Sequence, residues 1–183
     1  MASRQPESSL FTFLPAEVGD RGGRRLTIRL EERGDFFGLM RMYGQFEPRG
    51  STHGLPPADR QEAARWLRHL QSLTNLVTCF EGRIVGHALM SELAPGRTVE
   101  LLIYVHQSYR RRGIGTALAQ FALRCAQAAG CKLMWALVER DNRPALIVCA
   151  KAGFRPADLL EPELEMQLPL DRPAPSPLLA GLT

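Results

Sequence analysis

Apolar positions along this chain recur in two rhythms, one of period two and one of period three to four, and the switches between them outline the elements. RLTIRL (25–30) alternates as a strand. FFGLMRMYGQF (36–46) has the spacing of a short helix ahead of the turn-rich EPRGSTHGLPP, and a second helix from about Ala58 to Leu73 puts Ala63, Trp66, Leu67 and Leu70 on one face. NLVTCF (75–80), a turn at Glu81-Gly82-Arg83 and IVGHALMSEL (84–93) predict a hairpin, closed by the Pro-Gly turn at 95–96, and TVELLIYVH (98–106) follows as a third strand. Ile114, Leu118, Phe121, Ala122 and Cys125 then mark a helix ending at Gly130. KLMWALV (132–138) is the next strand, a helix runs from about Asn142 to Ala152, and LEMQL (164–168) is the last strand. Residues 1–24 lack a sustained period and predict a flexible N-terminal segment; the Pro-rich 171–183 predict a C-terminal tail, with the domain between them at 25–170. No internal repeat is present.

Composition narrows the class. At 183 residues, 45% hydrophobic and 23% charged, the chain suits one globular domain with a full core, and no apolar run reaches the length of a membrane span. The start of the chain has no basic region leading into a long apolar stretch, so a cytoplasmic location is expected. Cys79, Cys125, Cys131 and Cys149 lie in apolar segments without metal spacing, which predicts four buried thiols in a reducing compartment and no metal. A net charge of +4 fits an anionic ligand as well as a nucleic acid.

The chemistry concentrates in SYRRRGIGTALAQ (108–120), where three arginines and two glycines stand at the opening of a helix. Unpaired N–H groups and the helix dipole favour an anion there, and glycines let it come close to the backbone. One alternative is a tight connection beside a solvated arginine face. A dinucleotide fold is another, but the third glycine of that fingerprint would fall at Leu118, and an antiparallel hairpin precedes the motif where a parallel unit should run.

VELLIYVHQSYRRRGIGTAL (99–118), followed by ERDNRPALIVCAKAGF (139–154), resembles the acetyl-CoA-binding half of the GCN5-related N-acetyltransferase (GNAT) family. The resemblance is strong over about residues 75–155. It implies a single α/β (α+β) domain with a central mixed, mostly antiparallel sheet flanked by helices, and acetyl-CoA as the acetyl donor. It places the pyrophosphate at Arg110, Gly113 and Gly115, on the backbone N–H groups of Arg111, Arg112, Gly113, Ile114, Gly115 and Thr116, with the surplus arginine charge suited to the ribose phosphate. The backbone of Ile103, Tyr104 and Val105, where the family often has a bulge, would align the pantetheine arm and give an N–H to the thioester oxygen. Asn142 fits the asparagine that bonds that arm, with plain helix capping as the alternative.

Glu100 matches the family's general base, the alternative being a solvent-exposed residue at the start of a strand. An amine with a reference pKa near 10.4 must lose its proton before attack, so burial has to raise the carboxyl for this role. Cys149 stands where many relatives carry a tyrosine acid, and reads better as a buried cysteine on an apolar helix face. His106 reads as a strand-end surface residue, His87 as a hydrogen-bonded structural one, and His53 and His69 carry no signal.

The acceptor should be gripped by residues 34–60, with Glu47 or Asp59 available to attract a cation and residues 46–57 undeciphered. The expected reaction is direct acetyl transfer to a primary amine, with a protein lysine or N-terminal amine preferred over a small molecule. A non-catalytic acyl-CoA sensor and a nucleic-acid module are the other classes. No membrane partner is expected, and a homodimer is compatible with the sequence.

Overall fold

A computed structural model of the chain describes residues 10–48, 55–94, 98–157 and 163–171. Its strands are β1 (Ala16–Gly19), β2 (Arg25–Leu30), β3 (Thr74–Phe80), β4 (Arg83–Ala94), β5 (Thr98–Val105), β6 (Leu133–Glu139), β7 (Arg155–Pro156) and β8 (Glu163–Pro169), and its helices are α1 (Phe36–Gly44), α2 (Arg60–Leu70), α3 (Ile114–Ala128) and α4 (Arg143–Ala152). The strands form one sheet in the order β1-β2-β3-β4-β5-β6-β8-β7. Every neighbouring pair is antiparallel except β5 and β6, so the sheet is mixed and mostly antiparallel, as expected.

Strand periodicity divides the core in two. Leu26, Ile28, Leu76, Ala88, Val99, Leu101, Met134 and Met166 point to the face covered by α3 and α4, whose Ile114, Leu118, Ala122, Cys149 and Ala152 complete that core. Their alternates Val77, Leu89 and Tyr104 point to the opposite face and pack against Leu39, Met42 and Tyr43 of α1 and Leu67 and Leu70 of α2. Asp59 caps α2, its Oδ1 accepting the N–H groups of Gln61 and Glu62 at 2.8 and 2.9 Å.

The sequence pattern misplaced one region. Residues 10–24 lie within the segment expected to be a flexible tail, yet Ala16–Gly19 pairs with β2 from Ala16↔Ile28 to Gly19↔Arg25. Ahead of it, Phe11 is buried, and Phe13 lies beside Phe121 of α3 with the Arg124 guanidinium 4.0 Å above its ring. A four-residue edge strand is too short to show a period; its partner supplies the order. The end expected as a tail is described only to Asp171. Cys79 is half-buried rather than buried, while Cys125, Cys131 and Cys149 are buried, and all four are free thiols. No helix of the described residues is long and apolar enough to cross a membrane.

Polar groups bolt α1 and α2 to the sheet. The Tyr43 hydroxyl lies 2.8 Å from His87 Nδ1, and His87 Nε2 lies 3.2 Å from Glu31 Oε2. Glu31 also accepts from Asn75 Nδ2 at 2.6 Å, and the same amide donates to the Leu70 carbonyl at 2.8 Å. With Glu31 as acceptor, Nε2 carries the imidazole proton and Nδ1 accepts from Tyr43. Burial pushes the Tyr43 phenol well above its ordinary value, so it remains a donor. His87 is therefore the structural residue that the sequence predicts.

Removing that donor strands a buried acceptor, which typically costs about 1–3 kcal/mol. Tyr43→Phe should lower the melting temperature by roughly 2–4 °C for each kcal/mol lost in a chain of this size, read by circular dichroism. An unchanged melt would show that His87 Nδ1 finds another partner.

Candidate active site

The site begins where the two parallel strands separate. β5 and β6 pair only from Thr98↔Leu133 to Glu100↔Trp135, after which β6 continues to Glu139 on β8 alone. The Val85 carbonyl accepts from the His106 N–H, so alternation turns the backbone N–H and C=O of Ile103 and Val105 away from β4 and into the cleft between the parting strands. Tyr104, between them, directs its backbone to β4. The β4–β5 register is unbroken from Val99 to Val105 and shifts only between Glu92 and Ala94, so the bulge expected at 103–105 is absent and separation of the strands exposes the backbone instead.

Because β5 and β6 are parallel, the helices that follow them, α3 and α4, start at the same end of the cleft. Asn142 caps α4 by accepting from the Ala145 N–H at 3.2 Å, so the alternative reading of this residue is realised. No side chain caps α3. Its first-turn N–H groups, on Ile114, Gly115 and Thr116, have no partner within the helix and lie open to an anion. The approach to this end is a nest, with Arg111 at φ 62° and Gly113 at φ 91°, left-handed conformations that only glycine adopts at little cost. Gly115 serves the packing instead, since a Cβ there would stand 3.2 Å from Val148 Cγ2; the glycine lets α3 close on α4.

The three arginines divide their roles. Arg110 turns inward: its Nε donates to the Val105 carbonyl at 2.9 Å, its Nη2 to the Glu47 carbonyl, and its guanidinium lies over Phe46 at 5.0 Å. Arg112 stands 3.6 Å from Asp20 Oδ2, and the Arg112 carbonyl accepts from the Arg21 N–H at 3.0 Å. Asp20 is itself held by the N–H groups of Arg24 and Gly22, which with Arg112 keep its carboxyl below the ordinary range despite burial. Arg111 is exposed.

Glu100 faces the α1–α2 side with Leu102 and Tyr104, opposite Ser91 on β4 and Trp135 on β6. It is half-buried, and desolvation pushes its carboxyl above the ordinary glutamate value. Tyr104 is buried, its phenol pushed up by desolvation and then by the Glu100 charge. Its ring packs edge-on against Tyr43, Phe46 and Trp66 at centroid distances of 5.5, 5.9 and 5.8 Å. Toward β6 this face is less covered: two residues beyond Trp135, Leu137 is 46% exposed.

The remaining candidates lie apart from this chemistry. Burial pushes the Cys149 thiol up to about 11, and it packs in the core against α3. The His106 Nδ1 accepts from the Ser108 N–H at 3.3 Å, closing the turn after β5. Asp59 is occupied as a helix cap, and residues 49–54 of the undeciphered loop lie outside the described residues. Sequence reasoning missed Gln107, whose carboxamide joins that turn to residues 45–47, and Trp135, the neighbour of Glu100. Only the strand register, which no local pattern carries, could have found Trp135.

Comparison with known proteins agrees with this geometry. Residues 23–154 match the acetyltransferase (GNAT) family. The chain is 29% identical over 136 residues to the "Putative phosphinothricin acetyltransferase YwnH" of Bacillus subtilis (strain 168), covering 70% of this chain and 83% of that protein. It is 33% identical over 130 residues to the mycothiol acetyltransferase of Salinispora arenicola (strain CNS-205), covering 70% of this chain but 40% of that protein. Among solved structures, the GNAT domain of S. lividans PAT superposes with a TM-score of 0.75 at 17% identity, over 84% of this chain and 96% of that one. The Sinorhizobium meliloti phosphinothricin acetyltransferase, solved in complex with AcCoA, superposes at 0.66 with 21% identity, over 79% and 88% of the two chains. A single domain with a parted parallel pair and an uncapped helix beside it, matched to that family over most of its length, belongs to the GNAT acetyltransferases, the acyl-CoA-dependent N-acetyltransferases.

Proposed function

We propose that this enzyme transfers the acetyl group of acetyl-CoA to the primary amine of a small molecule, with Glu100 as the general base. The observation that carries the reading is the uncapped start of α3, placed at the same end of the sheet as the Ile103 and Val105 N–H groups that no strand pairs. The nest from Arg111 to Gly113 and the N–H groups of Ile114, Gly115 and Thr116 bind the pyrophosphate, with Arg111 free for a further phosphate. Donor chain and thioester lie along the cleft, where an N–H of Ile103 or Val105 meets the thioester oxygen; such a donor stabilises developing charge by about 3 kcal/mol.

The acceptor enters on the face of Trp135 and Leu137. Glu100, its carboxyl raised by burial, takes the ammonium proton, and the freed amine attacks the thioester carbonyl. As the C–S bond breaks, the nitrogen gives its surplus proton to solvent while the departing thiolate takes one from it. With its thiol pushed up to about 11 and packed in the core, Cys149 is not the source of the thiolate's proton.

Two relatives whose names specify small-molecule acetyl transfer support a small acceptor over the protein lysine that the sequence favoured. Cys149 in place of the family's tyrosine keeps a protein lysine as the second reading, since bacterial protein-lysine acetyltransferases, which the sequence resembles, commonly lack that tyrosine. The four free thiols suit a reducing cytoplasm. Incubation of labelled acetyl-CoA with cytosol, wild type beside Glu100→Gln, decides the acceptor. Glu100-dependent label in the small-molecule fraction is expected, and label confined to protein bands would overturn the small-molecule reading.

Positioned proton transfer contributes about a hundredfold to ten-thousandfold, so Glu100→Gln should lower kcat by that range while leaving CoA affinity unchanged. A base works only when deprotonated. Because its pKa is raised, wild-type kcat/KM should fall as pH drops through a value above the ordinary glutamate range, and the variant should lose that acid limb. An unaltered pH profile in the variant would exclude Glu100 as the base. Gly113→Ala should cost about 1–2 kcal/mol at φ 91°, weakening CoA binding by roughly tenfold in calorimetry. Unchanged affinity would remove the nest from the donor site.

A further inference from the structure

The turn that carries the phosphate loop also holds the loop that follows α1. Gln107 Nε2 donates to the Gln45 carbonyl at 2.5 Å, and Gln107 Oε1 accepts from the Glu47 N–H at 3.2 Å. One carboxamide thus serves two backbone groups of a single loop, as a neighbouring strand would. Arg110 adds a third hold on the Glu47 carbonyl while its Nε stays on the Val105 carbonyl at the cleft. Phe46, between the held residues, is buried under the Arg110 guanidinium and beside Tyr104. Donor and acceptor sides therefore share one mechanical element: the nest proposed for the phosphates begins at Arg111, directly after the turn, and the side chains of Gln107 and Arg110 reach back to residues 45–47.

We propose that Gln107 and Arg110 are positioning residues through which a donor seated in the phosphate loop fixes the acceptor-side loop at residues 45–47. The inference rests on the donor site proposed above. Both backbone groups of Glu47, its N–H and its carbonyl, are held by side chains of the 107–110 turn, so the position of this loop follows that of the turn. Anchoring the turn by phosphate contacts lowers the freedom of both, a coupling that acts through restricted motion without a change of average structure.

CoA itself is the probe, with hydrogen–deuterium exchange of the peptides spanning residues 44–48 as the readout and calorimetry as the independent measure of binding. In the wild type, saturating CoA should slow exchange in these peptides by about fivefold or more, the lower end of typical coupling between sites. In Gln107→Ala, CoA should bind within about threefold of wild type, yet its effect on residues 44–48 should vanish. Gln107→Glu keeps the acceptor for the Glu47 N–H but cannot donate to the Gln45 carbonyl, and should retain part of the protection. The comparison is between the same variant with and without CoA, so a uniform loss of stability does not imitate the result. Bound CoA that leaves wild-type exchange at 44–48 unchanged overturns the coupling alone, as does full CoA-dependent protection in Gln107→Ala. Absence of CoA binding to the wild type would overturn the donor site and the coupling together.

Discussion

The one parallel junction in this sheet, three residue pairs long, is the constraint on which the rest depends. A parallel pair needs a crossover, and α3 supplies it, so the loop leaving β5 must open a helix at the same end where β6 hands over to α4. Had β5 and β6 stayed paired to Val105, the ladder would have consumed the backbone of Ile103 and Val105. Separation leaves their N–H groups without a strand partner, beside a helix start that no side chain caps, while the Val105 carbonyl takes Arg110 Nε. The proposed chemistry uses what the fold leaves unpaired.

Two kinds of packing hold this arrangement open. On one face, Gly115 lets α3 lie against α4 where an added Cβ would stand 3.2 Å from Val148 Cγ2 and push it back. On the other, the Tyr43–His87–Glu31 chain and the aromatic cluster around Tyr104 fix α1 and α2 against β3, β4 and β5. The cluster stops at β5, and toward β6 the sheet carries Trp135 and the exposed Leu137. Glu100 stands at that border, half-buried, with desolvation raising its carboxyl.

Most elements were legible in the sequence because their burial follows a period. Strand alternation placed Glu100 with Leu102 and Tyr104, and helical spacing found α3 and α4. β1 was not legible, because four residues at an edge owe their order to a partner rather than to their own pattern. Pairing also decided the cleft: nothing in TVELLIYVH states that its second half has a neighbour on one side only. The arginine motif marked the turn into α3 but not the work of each side chain, since a guanidinium left exposed and one bonded to a carbonyl have the same sequence. Gln107, a polar residue after a strand, gave no sign of the two backbone groups it serves.

The commitment of Arg110 to carbonyls and of Arg112 to Asp20 bears on how the proposed donor site would attract its ligand. Three adjacent cations would draw a polyanion by long-range Coulomb force, a pull that physiological salt screens beyond about 8 Å. Arg110 keeps its charge beside neutral carbonyls while Asp20 offsets Arg112, so at the proposed donor site oriented amide dipoles would act at contact distance, where screening is weak, beside a smaller net charge than the motif suggests. Recognition there would depend on fit to the backbone as much as on long-range attraction.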